Sequence, residues 1–209
     1  MVDDITQIEN YFELTATQRD QLQRLHQLHV SLRERLNLIS RGDIEHLWIR
    51  HILHSLSIAK FLPPDTQATC LDIGTGGGFP TLPLAILFPQ HSFVAIDGRQ
   101  KKIRAVQEMV DHLALANVKP MAVRAEDFEG AFQFILARAV APLPKLLAWS
   151  EPLFAAAGKA LFLKGGDLGN ELGAIAQSWS VASHDLSEHY EAPFFAEKYL
   201  LEIQQNRSV

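Results

Sequence analysis

Leu22, Leu25, Leu28, Leu32 and Leu36 recur at steps of three and four residues behind Thr17. That spacing gathers apolar side chains on one face of a helix, and threonine is a residue type that opens one. A second helix fits residues 43–60: Asp43 begins it, Ile44, Leu47, Trp48, His51, Ile52, Ser55 and Ala59 share a face, and Pro63-Pro64 stops it because proline has no N–H to donate. Residues 1–62 therefore read as wholly helical. From residue 68 the period changes. Short apolar runs at 68–73, 92–97, 119–123, 132–137 and 159–164 alternate with helical stretches at 79–88, 99–115, 143–155 and 168–178. Strands joined this way lie parallel, with helices on both faces of the sheet. The tail, 179–206, has no helical period and predicts two returning strands. The pattern divides the chain into an N-terminal helical extension, 1–62, and one compact α/β unit, 63–209.

Composition narrows the class. Of 209 residues 47% are hydrophobic, enough for a sizeable buried core. No apolar stretch approaches the ~20 residues of a membrane span, and the acidic start MVDDITQIENYFE lacks the basic and apolar regions of a signal peptide. The single cysteine, Cys70, allows no intramolecular disulfide and no cysteine-built metal site, which fits a reducing, cytoplasmic compartment. The net charge of -5 argues against nucleic acid as a partner, but it averages over a pattern. Between Arg24 and Lys60 six lysines or arginines face three acidic residues, with five histidines among them: His26, His29, His46, His51 and His54. Arg99, Lys101, Lys102 and Arg104 form a second basic cluster. Such patches either meet phosphate locally or are simply solvated helix faces.

The stretch LDIGTGGGFP, 71–80, lies where the first strand turns into a helix, the place in an open α/β sheet where ligands approach bare backbone. It does not fit the dinucleotide pattern G-x-G-x-x-G, because Phe79 or Thr81 stands at the third glycine position. It does fit D-x-G-x-G-x-G through Asp72, Gly74, Gly76 and Gly78. The pattern resembles the loop of class I S-adenosylmethionine-dependent methyltransferases, and that resemblance implies a Rossmann-like, doubly wound, mostly parallel seven-stranded sheet with S-adenosylmethionine as cofactor. Asp97 ends the second strand, where a carboxylate accepts bonds from both ribose hydroxyls or caps the next helix. Glu126, closing the third strand in Arg124-Ala125-Glu126-Asp127, either reaches the adenine amine or is a solvated loop carboxylate.

The acceptor is narrowed by exclusion. Cys70 lies inside the first strand, so it does not serve as the nucleophile that methylation of pyrimidine carbon five requires. The place after the fourth strand that would hold an Asn-Pro-Pro-aromatic tetrapeptide for adenine amines reads ARAVAP instead. An acceptor with a free lone pair, such as ring nitrogen seven of guanine, remains in favour; it needs placement rather than a strong base. Arg138, at the end of strand four, either contacts guanine or forms a structural ion pair.

The whole chain also resembles one family, the bacterial glucose-inhibited division protein B family of small-subunit ribosomal RNA guanine-N(7)-methyltransferases. The resemblance runs from Asn37-Leu38 through Arg50-His51-Ile52-Leu53, DIGTGGGFP, Arg124-Ala125-Glu126 and ARAVAPLPKLLAWSEPL to Leu163-Lys164-Gly165. It implies a cofactor site of Gly74, Phe79, Ala125, Glu126 and Arg138, to which the motif adds Gly76, Gly78 and Asp97, with Arg138 the catalytic residue. It implies small-subunit ribosomal RNA as partner, met by Arg50, His51, Lys101, Lys102, Arg104 and Lys164, and a monomer without a metal. Three departures are visible: His54 stands where the family usually has Asp, exchanging a carboxylate for a potential cation, Ala137 replaces Ser, and Gly98-Arg99-Gln100 follows Asp97. Alternatives from other classes are a small-molecule or protein methyltransferase and an inactive cofactor- or RNA-binding relative.

Overall fold

The computed structural model describes residues 4–32, 42–175 and 177–206; Leu36 of the helical pattern and Asn37-Leu38 lie outside them. A short helix α1 (Thr6–Glu9) precedes α2 (Ala16–Leu32). The start of α2 is a reciprocal cap built on Thr15 rather than Thr17. The Thr15 hydroxyl accepts the Gln18 backbone N–H at 3.2 Å, and the Gln18 side-chain oxygen accepts the Thr15 N–H at 3.0 Å. The single helix expected over 43–60 is broken. A 3-10 turn (Ile44–His46) leads to a π-helical turn (Trp48–Leu53), one α-turn α3 (His54–Leu56) and a further 3-10 turn (Ser57–Phe61). Ser55 and Ser57 hydroxyls donate to the carbonyls of His51 and His54, each at 2.6 Å, and such back-bonding competes with the regular ladder.

The α/β unit runs β1 (Thr69–Ile73), α4 (Thr81–Leu87), β2 (Ser92–Ile96), α5 (Gln100–Leu113), β3 (Val118–Met121), β4 (Phe132–Arg138), α6 (Leu143–Ser150), β5 (Phe154–Gly165), α7 (Gly169–Gly173), β6 (Trp179–Asp185) and β7 (Lys198–Gln205). Helices α6 and α7 are shorter than their periods predict. Pro152 diverts the chain after α6 into a 3-10 turn, Glu151–Leu153, that feeds β5 directly. Among the described residues the sheet has seven strands in the order β3-β2-β1-β4-β5-β7-β6. The first five are parallel; β7 runs antiparallel to β5, and β6 to β7. This is the expected doubly wound, mostly parallel architecture. Chain order reverses between β1 and β4, so their carboxyl ends open a crevice.

Strand alternation decides what meets that crevice. Cys70 on β1 and Phe134 and Leu136 on β4 face the layer built by α1, α2, α3, α4 and α5, whereas Leu71, Ile135 and Ala137 face α6 and α7. Arg138, two residues beyond Leu136, points to the first of these layers. The N-terminal helices share that core: Leu22, Leu25 and Leu32 of α2 pack in one cluster with Leu82 of α4 and Val106 of α5. No helix among the described residues is long and apolar enough to cross a membrane.

Candidate active site

The loop between β1 and α4 bends through left-handed backbone. Gly74 has φ +71°, and a Cβ there would fall 2.8 Å from the methyls of Val140, so only a bare backbone lets the two segments close. Gly78 has φ +90°, and a Cβ would meet the Leu82 side chain at 2.4 Å; its role is to seat the loop on α4. Gly76 donates its N–H to Asp97 Oδ2 at 3.2 Å, while Asp97 Oδ1 accepts the Arg99 N–H at 2.8 Å. A carboxylate has about four acceptor positions, so Asp97 is oriented by the protein with half its capacity left.

Beside this loop lies a cleft of about 540 Å³ whose wall includes Gly74, Asp97, Lys102, Ala125, Glu126 and Trp149. It suits S-adenosylmethionine. Gly74 brings bare backbone to its wall, Asp97 and Glu126 offer acceptors for a ribose diol and an amine, and Lys102 offers a cation for a carboxylate. Asp72, below the loop, is fully buried, accepts the Thr81 hydroxyl at 2.8 Å, and is pushed up to about 7 by burial.

A second cavity of about 580 Å³ lies on the other side of the β4 end, lined in part by Arg50, His51, His54, Arg138, Lys164, Phe194 and Lys198. Arg138 is locked there. Its Nη1 donates to the Arg50 carbonyl at 3.0 Å, its Nη2 lies 2.9 Å from His51 Nδ1, and its guanidinium sits 5.1 Å from the centre of the Phe79 ring. Arginine only donates, so His51 Nδ1 is the acceptor and the imidazole is neutral with its proton on Nε2. Burial and the Arg138 charge agree, holding His51 down at about 3. Burial lowers Arg138 itself to about 10, which leaves it charged at neutral pH.

The expected site residues are thus sorted. Gly74, Asp97, Ala125 and Glu126 come together in the cleft; Arg138, Arg50 and His51 come together in the second cavity. Phe79 lines neither. Its buried ring is a pillar, with His29 stacked at 4.7 Å, His51 at 5.3 Å and Arg138 above. Lys102 stands in the cleft, 3.6 Å from where a Gly76 Cβ would be, while Lys101 and Arg104 are exposed on α5. Lys164 and Arg50 are both paired, the first with Glu171 and the second with Asp43, each at 2.7 Å. Three of the five histidines of the N-terminal region do not enlarge its charge: His29 and His54 are buried and, with His51, held neutral well below the usual imidazole range by desolvation. His54 is accordingly no cation. Among the described residues no group of three or more His, Cys, Asp or Glu is placed to hold a metal. Trp149, Phe194 and Lys198 escaped sequence reasoning; Trp149 stands inside ARAVAPLPKLLAWSEPL, but the other two reach the site only through the β5–β7 pairing.

Comparison with known proteins bears on the fold and the family. The ribosomal protein L11 methylase of Lactobacillus delbrueckii subsp. bulgaricus aligns with a TM-score of 0.56 at 18% identity, covering 74% of this chain and 77% of its own. Aeropyrum pernix fibrillarin, solved with natively bound S-adenosyl-L-methionine, aligns with a TM-score of 0.56 at 11% identity over 73% of this chain and 74% of its own. These likenesses show the fold. The ribosomal RNA small subunit methyltransferase G of Flavobacterium johnsoniae is 44% identical over 204 residues, 94% of this chain and 96% of that relative. A family model, GidB, described as rRNA small subunit methyltransferase G, matches residues 18–198. With the glycine loop, the acidic strand ends and the order of the sheet all in agreement, the chain belongs to the GidB family of small-subunit rRNA methyltransferases.

Proposed function

We propose that this methyltransferase uses S-adenosylmethionine, held in the cleft by Gly74, Asp97 and Glu126, to methylate ring nitrogen seven of a guanine in small-subunit ribosomal RNA, with the base seated in the second cavity beside Arg138. The character of that cavity carries the reading. Arg50, Arg138, Lys164 and Lys198 give it four donor side chains, against the carboxylates of Asp43, which is tied to Arg50, and Glu197. His51, the nearest candidate for a base, is neutral with its acceptor nitrogen already spent on Arg138. Such a site suits an acceptor atom that has no proton to lose, and guanine nitrogen seven has a lone pair in the ring plane.

When bound, S-adenosylmethionine supplies a methyl group activated by its sulfonium, whose S–C electron pair stays on sulfur as the acceptor's lone pair forms the new bond. The chain's own work is placement, which can be worth ~7–11 kcal/mol of the barrier. Arg138 spends one hydrogen of each terminal nitrogen on the protein and its Nε is buried, which leaves the second hydrogen of each terminal nitrogen for the base. Exposed Lys101 and Arg104, with Lys198 at the second cavity, provide cations for RNA phosphate. The enzyme works as a monomer in the cytoplasm, where ribosomal subunits are assembled, with 1–62 an extension of the 63–209 unit. Incubation with undermethylated small-subunit ribosomal RNA and the cofactor, followed by nucleoside mass analysis, should yield 7-methylguanosine. Methylation of another base, or none, refutes the reading.

A further inference from the structure

Among the residues lining the two cavities, Ala139 stands out with Arg138 at its side: it lines both. It follows directly on β4, and its backbone is left-handed, φ +54°, a conformation in which alanine is uncommon and glycine or asparagine is favoured. The turn has a purpose in the local geometry. It directs Arg138 into the second cavity and Val140 into the wall of the cleft, where the Val140 methyls occupy the space that the missing Gly74 Cβ leaves free. A residue that stands between a donor's compartment and an acceptor's compartment, and that keeps a single methyl despite an unfavourable backbone, is placed to control the passage between them.

Resting on the function proposed above, we infer that Ala139 is a positioning residue that sizes the opening between the cofactor cleft and the base cavity: its side chain is small enough to let donor and acceptor meet.

The substitutions Gly, Ser and Asn separate size from backbone tolerance. Turnover on undermethylated ribosomal RNA should fall with side-chain size, Ala139→Gly staying within threefold of the wild type, Ala139→Ser dropping below Ala139→Gly, and Ala139→Asn losing tenfold or more. Melting temperature should follow a different order, with Gly and Asn, the two residues at ease in left-handed backbone, at or above the wild type and Ser not above it. Calorimetric titration with S-adenosylmethionine confirms that each variant retains a cofactor site. An Asn variant with wild-type turnover overturns the inference, and so does turnover that tracks melting temperature across the series, which would make Ala139 a structural residue only. If the Asn variant fails to fold, Ser against Gly decides: equal turnover overturns the inference, slower Ser supports it. A wild-type protein that neither binds the cofactor nor methylates ribosomal RNA refutes the underlying reading instead, and the inference falls with it.

Discussion

Arg138 faces the second cavity, and it also ties the end of β4 to the π-helical turn through the Arg50 carbonyl and His51. The sequence presents it as either a base contact or a structural ion pair, and the structure shows a hydrogen-bonded tie that also borders that cavity. Arg138→Ala should therefore lower turnover severely while cofactor affinity stays within about tenfold, ~1.4 kcal/mol. It should also cost ~1–3 kcal/mol of stability for the buried groups left without a partner. Arg138→Lys isolates the first effect: it restores a charge and much of the melting temperature, but a point charge cannot keep two hydrogen bonds and present a planar fork, so turnover stays low. Recovery of turnover along with stability would deny Arg138 a role in placing the base. Arg138 and Asp97 were legible because a polar residue ending an apolar strand has few places to go. What surrounds Arg138 was not, since Phe79 and His51 reach it from segments 59 and 87 residues away and only docking of the helices shows the pillar.

At the scale of elements, the strand periods and the glycine loop were readable, and the failures have physical causes. The helix over 43–60 dissolved into turns because serine hydroxyls bond back to its carbonyls, an effect invisible to apolar spacing. Lys164 read as a free cation because nothing in sequence shows Glu171 arriving from α7, at 2.7 Å. Lys198, across the β5–β7 ladder from Gly165, differs: it lies 5.2 Å over the Phe194 ring and has no carboxylate partner among the described residues. Neutralising Lys198 should accordingly flatten the log-log salt dependence of RNA binding by about 0.7–0.9, the effect of leaving one phosphate without its cation. Lys164→Met should leave that slope alone and lower the melting temperature, because Glu171 and the Ala141 carbonyl lose their donor. Filter-binding titrations from low to moderate salt distinguish the two, and equal slopes for the wild type and the Lys198 variant would remove Lys198 from the RNA surface.

For the molecule as a whole, buried titratable groups set how stability varies with pH. His29 and His51 are held at about 3 and His54 is lowered as well, so between about pH 6.5 and 4 unfolding takes up protons that the native state refuses. Stability from this source is intact above the unfolded imidazole value and is lost as pH falls. Asp72, raised to about 7, acts oppositely: the native state holds its proton there and the unfolded state does not, so its contribution is present at low pH and is lost as pH rises through 7. With His91 lowered as well, the histidines outweigh one aspartate and unfolding takes up protons on balance, each worth a slope of ~1.4 kcal/mol per pH unit. Urea melts from pH 4.5 to 6.5 should show stability climbing, and His29→Phe, which keeps a ring against Phe79, should remove about one proton from the slope. An unchanged slope would contradict the neutral state of His29. Cys70 adds a practical consequence. The only thiol in the chain lies on β1, an interior strand, fully covered, with its acidity suppressed to about 12 by burial. Its side chain faces the helices packed on that side of the sheet, so a disulfide reagent in solution can reach it only when that helical layer lifts away, and the rate of its modification is a clock for the parting of helices from sheet, readable on unlabelled, unmutated enzyme.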